Sequence, residues 1–406
     1  MTIPVPLEDD DGQLPDGVYL GLPESQYFRQ RCLGSSDLGI LWDDDKADGW
    51  WWRSPFNRFW SRKDTDATDF GSALHALILE GREAFHARYA VAPDRRDFPG
   101  LLVTQPQLYS ALREANVPGI KPKLPKAEMV ELAKVYLPDR HIWDDIMERA
   151  QRAAKGRTVL EAEVAWQLGV MLETAMRDDT TRAVATAEGG VRLTEVSVFW
   201  TLPTGTRLRF RFDSLLPAAN CDLKSIDVYR PGDKLGDAIG KAIGDRSLDC
   251  QAALSFTARR AMYQAIAEDR VYINPNAPGD PMAQHAWIKR FPEEAPLDLD
   301  GKPGWRWLWI FFQKPDNAGR APVIVPVWMD FGSLEHRDGY RKAALGVFNY
   351  EKRVRERGTD EPWTDARQPH LLNAAAPDPD LQITIPSWIK RPGPVADEET
   401  ELSWRN

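Results

Sequence analysis

Residues 193–229 read LTEVSVFWTLPTGTRLRFRFDSLLPAANCDLKSIDVY, and this stretch constrains the fold more than any other. Residues 194–201 alternate and are rich in β-branched and aromatic side chains. A PTGT turn follows at 203–206, residues 207–215 alternate again, and PAAN at 217–220 forms a second turn before Cys221, Asp222, Leu223 and Lys224. The pattern predicts three short strands of one sheet over 191–229. Acidic residues are depleted from strands, yet Glu195, Asp213 and Asp222 each sit on or beside one. The two-residue period of a strand puts Asp222 and Lys224 on one face. Carboxylates and one lysine at a shared sheet edge suit a hard divalent cation, Mg²⁺ or Mn²⁺, and an attacking water. Against this stands a plainer reading, in which Asp222 and Lys224 form a surface ion pair. Arg207, Arg209 and Arg211 share the face of Asp213; they either line a phosphate track or make a charged sheet surface.

The 406 residues, 43% hydrophobic, suffice for one large domain or two ordinary ones. Cys32, Cys221 and Cys250 have no C-x-x-C spacing, so neither a zinc site nor a disulfide framework is expected, and a cytoplasmic setting is. The acidic N-terminus lacks an apolar signal core, and no run of 18 apolar residues predicts a membrane span. The net charge of −9 is unusual for a duplex binder, although a basic groove can be local. Sixteen tryptophans point to core or groove walls, with base stacking as a further use.

Along the chain, residues 1–30 read as an extended tail. A helix begins near Gly34, with Ser35 or Ser36 as its cap. Residues 69–83, DFGSALHALILEGRE, form a strongly periodic helix carrying His75. Residues 94–127 read as irregular and 127–151 and 159–187 as helical, together an insertion over about 94–187. Residues 231–244 read as a loop and 249–267 as a helix with Gln251, Arg259 and Arg260, the arginines being candidate phosphate contacts. Residues 273–304 read as a loop, 305–314 and 322–329 as a hairpin, and 334–355 as a helix. The Pro-rich remainder, 356–406, is expected to wrap the surface or lack order.

The spacing E-x(17)-D-x(8)-D-x-K from Glu195 to Lys224 resembles the PD-(D/E)XK nuclease core, in the branch of the RecB and RecE nucleases. The stretch G-S-A-L-H-A-L-I-L-E around His75 is similar to the G-x-A-x-H-x-L-x-L-E helix of RecE-like proteins. The Ser54-Pro55-Phe56 turn, Phe311 to Lys314 and Ile385 to Trp388 extend the likeness over most of the chain. The resemblance implies an α/β fold over 31–355, with a central mixed sheet flanked by helices and carrying helical insertions. It implies a metal site of His75, Asp213, Asp222 and the Leu223 carbonyl, with Glu195 binding directly, through water or at a second ion. Lys224 would serve the attacking water and Gln251 the scissile strand. Where the family has a tyrosine the chain has Ser255, leaving open whether Phe256 or Tyr263 takes that role. The implied activity is an exonuclease VIII-type 5′→3′ digestion of linear duplex DNA. It would leave 3′ single strands for an annealing recombinase, in a ring-shaped homo-oligomer of phage or prophage origin. A related endonuclease, a nuclease of opposite polarity and a non-catalytic DNA-binding protein are the alternatives.

Overall fold

A computed structural model of the chain describes residues 9, 12–60, 66–186, 192–226, 234–274, 280–295, 304–315 and 319–364. Nine strands occur among them: β1 (Gly17–Leu20), β2 (Tyr89–Val91), β3 (Thr158–Leu160), β4 (Leu193–Thr201), β5 (Arg207–Leu215), β6 (Ala219–Ser225), β7 (Val271–Ile273), β8 (Arg306–Gln313) and β9 (Val323–Met329). Seven form a mixed sheet in the order β7-β1-β4-β5-β6-β8-β9. The β1–β7 and β6–β8 pairs are parallel; β1–β4, β4–β5, β5–β6 and β8–β9 are antiparallel.

Strand β8, RWLWIFFQ, is apolar without alternation because both its faces are covered. Trp307, Trp309 and Phe311 enter one core; Leu308, Ile310 and Phe312 enter another. The first core lies under the helices Leu248–Ala267, Leu334–Arg357, Ser35–Leu41 and Asp44–Trp51. The second lies under Asp66–His75, a following π turn Ala76–Glu80, and Ala162–Arg177. The architecture is therefore α/β, a large mixed sheet between helical layers. The long helix Leu334–Arg357 can approach its neighbours closely because it carries glycine where they meet. A Cβ at Gly339 would overlap the Asp249 carbonyl, and one at Gly346 would sit 2.9 Å from the Leu38 carbonyl oxygen.

Several expectations need correction. Residues 12–30 are not a free tail: β1 lies inside the sheet, and Leu14 and Val18 are buried. Gly34, not Ser35 or Ser36, caps the first helix after it, its N–H donating to Asp37 Oδ2 at 2.7 Å. The span 92–157 is more ordered than expected. Its helices Gln105–Glu114, Lys126–Tyr136 and Trp143–Ala154 lie between the paired strands β2 and β3, and Leu108, Leu112, Met129 and Ile142 give it a core of its own. Residues expected as loops form the helices Leu235–Asp245 and Pro281–Glu294. The chain divides into Met1–Trp363 and Thr364–Asn406, so 356–363 belongs with the large unit, where Trp363 is fully buried. Residues 10–11, 227–233, 316–318 and 365–406, including Ile385 to Trp388, lie outside the described residues.

The three arginines of β5 explain how the N-terminal segment is held. Arg209 is buried and donates to the carbonyls of Tyr27, Phe28 and Gln30 at 2.9, 3.1 and 3.2 Å, with Asp37 at 3.5 Å. Arg207 bonds Asp16 and the Leu14 carbonyl; Arg211 bonds the Leu22 carbonyl at 2.6 Å. This face is covered by protein, so Arg209 cannot reach a phosphate, and Arg207 and Arg211 are committed to chain groups. Removing a buried cation strands its partners. Arg209→Met is expected to lower unfolding stability by about 3–5 kcal/mol, read as a lower urea midpoint.

Candidate metal centre

Strand register assembles the acidic residues. Thr194 pairs with Ser214 and Val196 with Phe212, which sets Glu195 opposite Asp213. Ser214 pairs with Cys221, so the next step in register sets Asp213 opposite Asp222. Three carboxylates from three adjacent strands thus form one row. The β5–β6 pairing covers Ser214–Cys221 and Leu215–Asn220 and ends at this row, so the acids sit where the two strands part. Glu195 occupies the left-handed backbone region at φ 56°, inside a strand. Such a conformation costs a non-glycine residue about 1–3 kcal/mol and collects at functional sites. Leu193 and Val196, three apart, both enter the first core, so the side-chain alternation shifts phase at Glu195.

His75 enters from the second helical layer. Its Nε2 lies 3.2 Å from Asp213 Oδ2 and its Nδ1 3.7 Å from Glu195 Oε1. One ligand atom from each of His75, Glu195 and Asp213 can be chosen within 4.8 Å of the others. Around a cation with bonds near 2.1 Å, adjacent ligands stand about 3 Å apart and opposite ones about 4.2 Å. The trio has the right scale for one ion; its two carboxylates suit Mg²⁺ or Mn²⁺, and its imidazole favours Mn²⁺ of the two. Asp222 stands beside the trio rather than in it. Its Oδ1 accepts from Lys224 Nζ at 2.8 Å and from Gln251 Nε2 at 3.2 Å, while its buried Oδ2 has no donor. Leu223 turns its side chain into the second core, leaving its carbonyl as the group it can offer.

The protonation pattern shows what this crowding does. Burial disfavours the His75 imidazolium, but Asp213, Glu80 and Glu195 outweigh it and raise the ring well above its ordinary value. Burial, reinforced by Asp213, pushes the Asp222 carboxyl up to about 8 against the pull of Lys224. Burial also raises Glu195, against His75. Asp213 goes the other way: burial opposes its ionisation, yet His75, Asp222 and Lys224 hold it well below the carboxylate range. The raised His75 and Asp222 both lessen the negative charge of the row, the effect a bound dication would also have.

The remaining expected residues have other roles. Arg259 is fully buried, donating to Asn220 Oδ1 at 2.8 Å and to the Leu216 and Pro217 carbonyls at 3.1 and 2.7 Å. It fastens the β5–β6 turn and cannot contact phosphate. Arg260 is exposed, with its guanidinium 5.4 Å from the Phe331 ring centroid. Ser255 Oγ donates to the Ala252 carbonyl, and the Tyr263 hydroxyl to that of Ala295. Phe256 is core, so none of the three serves the acidic row. Two features were not anticipated. Arg211 pairs with Glu195 at 3.2 Å, and Glu80 Oε1 lies 3.9 Å from His75 Nδ1. A groove of about 440 Å³, walled by Glu24, Phe28, Arg29, Asn57, Arg58 and Trp60, flanks the segment that receives Arg211. No family model matches the chain, and no curated protein matches it.

Ligands that bind the folded state alone raise its stability, by about 2.7 kcal/mol at a hundredfold excess over Kd. Millimolar Mn²⁺ is therefore expected to raise the melting temperature and EDTA to reverse the shift, with the shift lost in His75→Ala and Asp213→Ala. An equal shift in both variants would place the ion elsewhere.

Proposed function

We propose that this chain is a metal-dependent DNA nuclease with a PD-(D/E)XK-type core. The observation that carries the reading is the meeting of a helix-borne imidazole with carboxylates of two strands, Glu195 and Asp213, beside a third, Asp222, that holds one ammonium. The chemistry of that set is phosphodiester hydrolysis. Nucleic acid as substrate rests on the resemblance of the acidic row and of the His75 helix to PD-(D/E)XK nucleases, and not on the nearby groove, whose wall sets Glu24 beside Arg29 and Arg58.

His75, Asp213 and Glu195 would hold the cation, with Asp222 and the Leu223 carbonyl on its Lys224 flank. A bound Mg²⁺ or Mn²⁺ would supply Lewis-acid polarisation of a phosphate oxygen and acidify a water. Lys224 is held by Asp222 with a quarter of its side chain exposed, so it can orient the attacking water and stabilise charge developing on the phosphate. Gln251 fixes the other side of Asp222 Oδ1, from the first turn of the helix Leu248–Ala267. Arg211 restrains Glu195 by its charge-assisted bond, which keeps the left-handed residue in the row.

The closer reading is a RecE-like exonuclease, working 5′→3′ on linear duplex DNA in a homo-oligomer and handing 3′ tails to an annealing recombinase. Its host would be a phage or prophage-bearing cell. Among the described residues no helix is long and apolar enough to cross a membrane. Digestion of linear DNA labelled at the 5′ or the 3′ ends, beside closed circular DNA, tests activity, polarity and end dependence together. Loss of one charge-stabilising donor costs roughly 10²–10³ in rate. Lys224→Ala is expected to show that loss with Mn²⁺ present, and Asp222→Ala to be inactive. Full activity of both variants would refute the assignment.

A further inference from the structure

The helix carrying His75 changes its winding at the point where the site needs it. Asp66–His75 is α-helical, Ala76–Glu80 is a π turn, and the Gly81 N–H donates to the Ala76 carbonyl, five residues back, at 2.9 Å. In an α-helix, residues five apart lie about 140° apart around the axis. In a π turn they lie about 50° apart. The π turn therefore brings Glu80 round to the His75 face. Gly81 follows at φ 97°, a conformation that ends the turn and that a side chain would strain.

Glu80 is buried there, with 8% of its side chain exposed. Its Oε2 accepts from Arg88, while its Oε1 is buried without a hydrogen-bond partner and lies 3.9 Å from His75 Nδ1, which Glu195 Oε1, assigned to the cation, approaches from another side at 3.7 Å. The opposite ring nitrogen, Nε2, faces Asp213. We propose that Glu80 is the positioning residue of the centre: it receives Nδ1–H of His75, fixes the ring, and keeps Nε2 turned to the cation. Metal-bound imidazoles commonly lean on a carboxylate in this way, which raises their basicity and sets their tautomer. Arg88, 44% exposed, pins the other Glu80 oxygen from the solvent side. The inference rests on His75 being a metal ligand, as proposed above, and adds a residue that touches neither substrate nor ion.

The test is Mn²⁺ affinity by calorimetry, with the melting temperature of metal-free protein as a control on folding. Loss of such a support weakens metal binding by about 10–100-fold. Glu80→Ala should show this loss; Glu80→Gln, which keeps an acceptor oxygen, should recover part of it. In a His75→Ala background, Glu80→Ala should have no further effect, because the ring it supports is gone. Glu80→Ala affinity equal to wild type would overturn the role of Glu80 while leaving the metal site intact. An equal loss in the presence and absence of His75 would also overturn it, since Glu80 would then act independently. Failure of the wild-type protein to bind Mn²⁺ would remove both this inference and the functional reading beneath it.

Discussion

The structure depends on a repulsion built into its sheet. The register of β4, β5 and β6 sets Glu195, Asp213 and Asp222 in one row, and the helices then enclose that row. Buried like charges cannot all ionise, and the crowding raises His75 well above its ordinary value and the Asp222 carboxyl up to about 8. A row of this kind weakens an apo fold. It is understandable as a site that a divalent cation completes.

Both helical layers meet at the gap between β5 and β6. His75 comes from the layer over the second core, and Gln251 from the layer over the first. Each is joined to the sheet by a short polar contact rather than by apolar packing. The buried arginines play the complementary part. Arg259 locks the turn that closes the β5–β6 fork, and Arg209 straps the N-terminal segment across β5. These cations support the scaffold and are spent on chain groups.

Much of this was legible in the sequence, for a physical reason. A two-residue period is local, so the strands around Asp213 and Asp222 and the shared face of Asp222 and Lys224 could be read directly. The meeting of His75 with an acidic set came from resemblance; the structure brings the ring to Asp213 and Glu195 and leaves Asp222 beside them. What failed to read was masked by composition or by long-range covering. Strand β1 is four residues long and begins with glycine, too short to show alternation. Glycines at 236, 240 and 244 and prolines at 281 and 292 made two helices look like loops. The alternating arginines looked solvent-facing because nothing in their own stretch announces the segment that covers them. Glu80 was hidden by the assumption of uniform α-helical winding, under which it points away from His75.

The most direct test of the central claim is anomalous scattering from crystals grown with Mn²⁺. The account predicts a manganese peak within about 2.3 Å of His75 Nε2 and of oxygens from Asp213 and Glu195, with Lys224 beside it and uncoordinated. A manganese peak only at other surface carboxylates, with none at the acidic row, would contradict it.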